Sequence, residues 1–426
     1  MSELAVPSTP MEVAPQPGRY PSQAIRQEAS ASQLKGRWVE FADLHREPFR
    51  LFFPFATLAG IIGVALWPVM LLGWTENYPG PSHARLMVQG FFGGFIFGFL
   101  GTSMPRLVEA SPLSAREAFS LLVLFLGHVV ANTAGMTTLA DGLFVGEIAL
   151  WFAMLKHRCQ GGKDRPPPGF VLVGLAFASA LAGTTLHLAG RHWELSQPLE
   201  LFARLLSYHG FVLLCVLGAG GFLLPRFLGL GVRRKYPESA AATPEWKRSA
   251  ATAAGIGALI LVTYVMEAMG WNRTAAAARV LLIAAGLAYE MPLEQLRWSW
   301  AGVQWQLIVG LVLIPLGAFA SGWFASLRLT LSHLELVGGF ALIAFGVATR
   351  VVFGHSGARE RAERFHPWLT AAAALMLLGL VTRLSGDFLP GIQRTHYLYS
   401  AGLWLAGAIL WAGCVLPRVL LPDTEA

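Results

Sequence analysis

From Phe49 onward the chain is a succession of apolar stretches about 20 residues long, and nothing else in it limits the fold as strongly. Each stretch can cross a ~30 Å hydrocarbon core as a helix. They fall at about 49–74, 83–104, 117–137, 139–157, 169–190, 202–224, 249–269, 275–295, 300–323, 331–352, 367–386 and 396–417. The third and fourth nearly touch at Thr138, and the eighth carries Glu290. The sequence therefore predicts an all-α polytopic membrane protein of about 12 transmembrane helices. Its charged share of 13% is about half that of a soluble domain. Glycine without a collagen period and only three cysteines exclude a fibrous or disulfide-built chain.

Residues 1–48 read as a flexible basic cytoplasmic tail, rich in Pro, Ser, Ala and Gln and without the apolar core of a cleavable signal. A twelve-helix membrane domain follows over 49–420, and 421–426 form a short C-terminal tail. Counting helix-end residues with their loops, 24 of the 32 Lys and Arg residues fall on the side of the N-terminal tail. That bias places both termini in the cytoplasm. The net charge of +7 thus reads as membrane sidedness, with no nucleic-acid partner.

Spans 2, 6 and 10 end alike when aligned on Arg106, Arg226 and Arg350: QGFFGGFIFGFLGTSMPR, HGFVLLCVLGAGGFLLPR and HLELVGGFALIAFGVATR. Span 12 closes similarly at Arg418. This pattern predicts an internal helix repeat. Seventeen residues of helix rise about 25 Å, so arginines at the cytoplasmic surface would put His209 and His333 near the outer edge. His83, His396 and His187 approach from that same side, while His128 lies midway along span 3. Imidazole is a preferred ligand of iron, copper and zinc, and polar groups inside a membrane mark functional sites. His209 and His333 are the first candidate metal ligands, then His83, with His396 and His128 in reserve; interhelical hydrogen bonding is the alternative role. Arg350 anchors its helix or pairs with an anion, and the loop after it (353–367, with His355) is small and basic enough to hold one. The absence of CxxCH excludes covalent c-type haem.

The run HLELVGGFALIAFGVATRVVFGHSG (333–357) resembles the signature of the NnrS family. EPFRLFFP (47–54) and HARLMVQGFFGGFIFGFLGTSMP (83–105) are similar to that family's first and second spans. The resemblance implies a twelve-span bacterial inner-membrane protein containing non-covalent b-type haem and copper, linked to denitrification and to tolerance of nitric oxide. It implies roles for His83, His333, Arg350, Gly354 and His355. Where the family pattern reads His-x-His-Glu in span 2, this sequence has His83-Ala84-Arg85-Leu86. A protein that handles nitric oxide or another small gas through histidine-ligated haem is the leading expectation. A secondary transporter of a metal, haem or small anion is the rival, and a terminal-oxidase-like subunit, which needs neighbouring His-His ligands, ranks third.

Overall fold

The structure is a computed structural model that describes Val39 and residues 41–231, 233–234 and 239–423. The predicted tail over 1–48 lies mostly outside the described residues. Among those described there is no strand. The membrane domain consists of α1 (Phe49–Leu71), α2 (Gly80–Leu107), α3 (Ala115–Thr133), α4 (Thr137–Gly161), α5 (Pro168–Ala189), α6 (Gln197–Phe227), α7 (Pro244–Ala268), α8 (Asn272–Glu290), α9 (Gln304–Trp323), α10 (Ala325–His355), α11 (Pro367–Phe388) and α12 (Pro390–Arg418). This is a multi-pass, all-α membrane protein. Eleven of these helices are long and apolar enough to span a bilayer. The exception is α8, whose 19 residues include Arg273, Arg279 and Glu290. Its buried Arg279 is neutralised by Glu267 of α7, so the helix still packs between α7 and α9.

Local sequence sets the helix ends. Ser114 and Glu117 form a capping box at the start of α3. The α3–α4 connection comes at residues 134–136, slightly before the predicted contact at Thr138. Gly135, at φ 76°, turns the chain there, and Gly270, at φ 92°, does so between α7 and α8. Both positions are left-handed and favour a residue without Cβ.

Three four-helix units, α1–α4, α5–α8 and α9–α12, repeat one set of contacts. In each, the first helix packs on the second, the third pairs with the fourth, and the fourth meets the first helix of the next unit; α12 against α1 closes the ring. The second helices, α2, α6 and α10, meet in the middle. Burial follows this order, at 78% for the core of α2 against 33% for peripheral α7.

The three central helices share two further marks. Each contains a π-helical turn, at Leu86–Phe92, Leu205–Gly210 and Leu334–Ala341. Each is followed by a left-handed residue: Glu109, Gly229 or Gly357. The next N–H then reaches back five residues, from Ala110 to Pro105, Leu230 to Pro225 and Ala358 to Phe353. Aligned on these marks, Gly90, Gly210 and Gly338 are equivalent, as are Gly98, Gly218 and Gly346 eight residues on. All six press on the first helix of their own unit; a Cβ on Gly90 would lie 2.9 Å from Ala59, one on Gly210 2.5 Å from Ser179, and one on Gly338 2.6 Å from Leu313. Such close approach is how helices associate where lipid removes the hydrophobic drive.

This register corrects the alignment on arginines. Gly354, not Arg350, is the equivalent of Arg106 and Arg226, so α10 is displaced by one turn. His209 and His333 therefore do not share a depth; His209 lies four residues, about 6 Å, nearer the arginine end. Terminal arginines tolerate such a slip because any position near the headgroups serves, whereas the π turn and the cap fix the packing. Helix α12 takes the fourth place in its unit and has no π turn, so its similar ending reflects the membrane boundary and not structural equivalence.

Candidate functional site

The polar residues of the membrane interior gather around the π turns. A π turn inserts an extra residue into the helix ladder and is frequent at functional sites. At equivalent places the units carry Arg85, Leu205 and His333, then Met87, Ser207 and Glu335, then Gln89, His209 and Val337. The backbone repeats; the side chains do not.

Four of the sequence-predicted histidines share one mode of anchoring. His83 Nδ1 lies 2.9 Å from the Gly63 carbonyl oxygen. His333 Nδ1 lies 2.8 Å from the carbonyl oxygen of Leu329, one turn earlier. His209 Nδ1 lies 2.9 Å from Glu335 Oε2, joining α6 to α10. His396 Nδ1 lies 2.8 Å from Ser385 Oγ, whose own hydrogen is given to the Thr382 carbonyl. Each partner is thus an acceptor, so each ring carries its proton on Nδ1 and its lone pair on Nε2. Among the described residues, no hydrogen bond engages Nε2 in any of the four. His83 and His333, on α2 and α10, lie within electrostatic range of each other and of Arg383.

The remaining predicted residues go elsewhere. His128 is fully buried, with Nε2 3.2 Å from Glu147 Oε2 and Phe125 and Phe144 against its ring, and neither partner of this contact completes a hydrogen bond. His187 is held the opposite way, Nε2 3.1 Å from Ser207 Oγ, its ring stacked on Tyr208. Arg350 bonds Glu363 at 2.8 Å and the Phe227 carbonyl at 2.6 Å. His355 lies 3.0 Å from Glu47 and 2.9 Å from Asp423. Glu47, His355 and Asp423 are the one trio of His, Cys or acidic donors, among the described residues, whose ligand atoms lie within 4.8 Å of each other. Arg106 bridges both of its carboxylates, so the trio is satisfied as an ion-pair network tying the chain end to α1 and α2. Arg350 and His355 follow His333 by 17 and 22 residues, about 25 and 33 Å of helix. They serve the arginine end, separate from the histidine layer.

Sequence reasoning missed several members of this layer. Arg85, where the family pattern has its second histidine, makes a two-pronged bond to Asp141 of α4, at 2.8 and 2.7 Å. Gln89 adds a third contact to Asp141 at 3.1 Å. Glu267, which the sequence itself puts near the outer end of its span, accepts from Arg279 and faces Arg328 at 2.9 Å. Asp387 collects Thr330, Arg383, Gln393 and Tyr397. The signal was present as isolated charges within apolar runs, but Arg85 and Asp141 stand 56 residues apart and nothing local pairs them.

Below the polar layer, toward the arginine end, lies an apolar chamber of about 90 Å³ between α2, α6 and α10. Phe92 and Phe340, packed edge to face at 6.0 Å, line its upper end. No histidine borders it.

None of the curated proteins compared with the chain matches it. The family model described as NnrS protein matches residues 43–422, and so covers the whole ring of helices and both polar ends. The chain belongs to the NnrS family.

Proposed function

We propose that this protein is a histidine-ligated haem protein of the bacterial inner membrane, with copper as a second metal, that handles nitric oxide and protects against nitrosative stress. One observation carries the reading: His83, His209, His333 and His396 all present a free Nε2 while an acceptor holds Nδ1. Metal-binding histidines have this arrangement, because a tethered N–H fixes ring and tautomer and raises the basicity of the other nitrogen. Neutral imidazole suits iron and copper alike. The donor set therefore fits the group; His209 and His333 would hold it, with His83 beside His333, and Glu335 would orient His209.

Haem held by these imidazoles would supply the affinity for nitric oxide. The protein's own part is to present neutral imidazoles, to balance every nearby charge, and to keep an apolar path for a gas that dissolves in lipid. The arginine ends face the cytoplasm in this reading, and the histidine layer faces the periplasm.

Purified protein reduced with dithionite should show a Soret band that moves when nitric oxide is added, with stoichiometric iron. His209→Ala and His333→Ala should each lower the haem content. Neither a Soret band nor bound iron or copper in the folded protein would refute the proposal; unchanged spectra in both variants would refute the ligand assignment.

A further inference from the structure

The chamber between α2, α6 and α10 follows the threefold repeat over most of its lining, to which Phe53 of α1 and Leu223 and Leu224 of α6 add. Its lining begins on each central helix at one equivalent position, Phe92, Val212 and Phe340. On all three it continues at the third, fourth, seventh and eighth residues beyond, the spacing of one helix face. At the eighth place stand Leu100, Gly220 and Ala348. The first unit supplies large side chains at every level, while the lower levels of the other two carry small ones, Ala219 and Gly220 on α6 and Ala344 and Ala348 on α10, so the three helices leave space between them there. Cys215 brings the lining's sole side-chain heteroatom.

We propose that this chamber is a binding site for a small apolar gas molecule. Size and polarity select the ligand class. An apolar cavity of about 150 Å³ stays dry and accepts xenon or benzene. This one, about 90 Å³ and partly open to its surroundings, is smaller and suits a monatomic or diatomic guest. Water finds no partners on its walls. Its upper end also approaches the histidine layer, since Val212 follows His209 by three residues, about 5 Å of rise. The chamber thus offers a gas dissolved in lipid a resting place next to the proposed metal ligands. That last step rests on the proposed function; the existence of a gas site does not.

Xenon tests the site without involving haem. In the purified full chain in nanodiscs, 129Xe exchange spectroscopy should show one saturable site above partition into lipid. Ala219→Phe, which projects a ring into the chamber, should abolish it, and Ala344→Phe should do the same from α10. Phe99→Ala, which widens the chamber, should raise xenon occupancy severalfold. Iron content and the Soret band should stay unchanged in all three, so a loss of haem binding is distinguishable from a loss of the gas site. Xenon occupancy unaffected by both fillers overturns the proposal. So does a lipid acyl chain that co-purifies with wild-type protein at one per chain and is absent from Ala219→Phe.

Discussion

The Arg85–Asp141 pair allows a sharp energetic test, because it combines deep burial with two-pronged geometry. Asp141 is fully buried and Arg85 is 5% exposed. Beyond Asp141, the guanidinium has one further partner among the described residues, the Pro81 carbonyl at 3.2 Å. Replacing Asp141 with Leu strands a cation among helices, and removal of one partner of a buried ion pair costs about 3–5 kcal/mol. The double variant Arg85→Met with Asp141→Leu removes both charges. It should recover most of that loss, because an apolar pair of similar volume is often no worse than a buried salt bridge. Gln89→Leu deletes one hydrogen bond to the Asp141 carboxylate but leaves both prongs from Arg85 in place, and should cost well under what Asp141→Leu does. Unfolding in mixed sodium dodecyl sulfate and dodecyl maltoside micelles, followed by tryptophan fluorescence, measures all four. If Asp141→Leu costs under about 1 kcal/mol, or the double variant is as unstable as the single, the pair is not the structural clasp described. A folded double variant that lost its metal would show that Arg85 does more than hold α2 to α4.

Other perturbations separate packing from chemistry. Glu335→Gln keeps the size of the side chain but weakens the hold on His209 Nδ1; metal affinity should drop about 10- to 100-fold, measured by competition with a chelator, while helix content is retained. A methyl group at Gly317 would lie 2.3 Å from the backbone nitrogen of Glu335. Gly317→Ala must therefore push α9 from α10 and should cost about 1–3 kcal/mol in the same micelle assay. At the arginine end, the hydrogen bond from Arg350 holds the Glu363 carboxyl below the usual carboxylate range. A depressed carboxylate stabilises the fold above its unfolded pKa and loses that effect as pH falls through the folded value. Glu363→Gln should therefore be slightly less stable than wild type at pH 7, and the gap should close below about pH 4. A gap that widened on acidification would reverse the assignment.

The architecture was legible because lipid leaves few choices. Backbone groups in a bilayer must be paired within the segment, so twelve apolar runs translate into twelve helices, including α8 with its charges. Register was less legible. The arginines that aligned α2, α6 and α10 mark only where the membrane ends, and a residue with that task tolerates a shift of one turn. The π turns and the positive φ at Glu109, Gly229 and Gly357 fix the true correspondence. Those are backbone features, and at Glu109 the residue type gives no hint of one. The histidines were found because imidazole is rare and costly in such surroundings. The pairings were not, because His209 and Glu335 stand 126 residues apart and Arg85 and Asp141 56.

Correct register explains why one set of positions remained apolar while another diverged. The faces of α2, α6 and α10 that enclose the chamber carry only hydrophobic groups, Cys215 and Gly220, since any polar side chain there would lie unpaired at the meeting of three helices. A turn or more above, each unit carries the same three backbone positions, and there a polar residue can find a partner on another helix. Arg85 finds Asp141 within its own unit, and His209 finds Glu335 in the next. Both are pairs whose partners would be stranded if either residue changed alone. A repeat with equivalent backbones thus supports unlike chemistry at the outer level and uniform packing at the inner one. Exchanging the residues at one outer position between units should accordingly be far more damaging than exchanging chamber residues. Placing Leu at 85 and Arg at 205 would take the guanidinium from Asp141 and bury another at the apolar position of Leu205, whereas exchanging Val216 and Ala344 conserves total volume and should cost less than about 1.5 kcal/mol. Equal tolerance of both exchanges in unfolding measurements would mean that the two levels are not distinguished in this way.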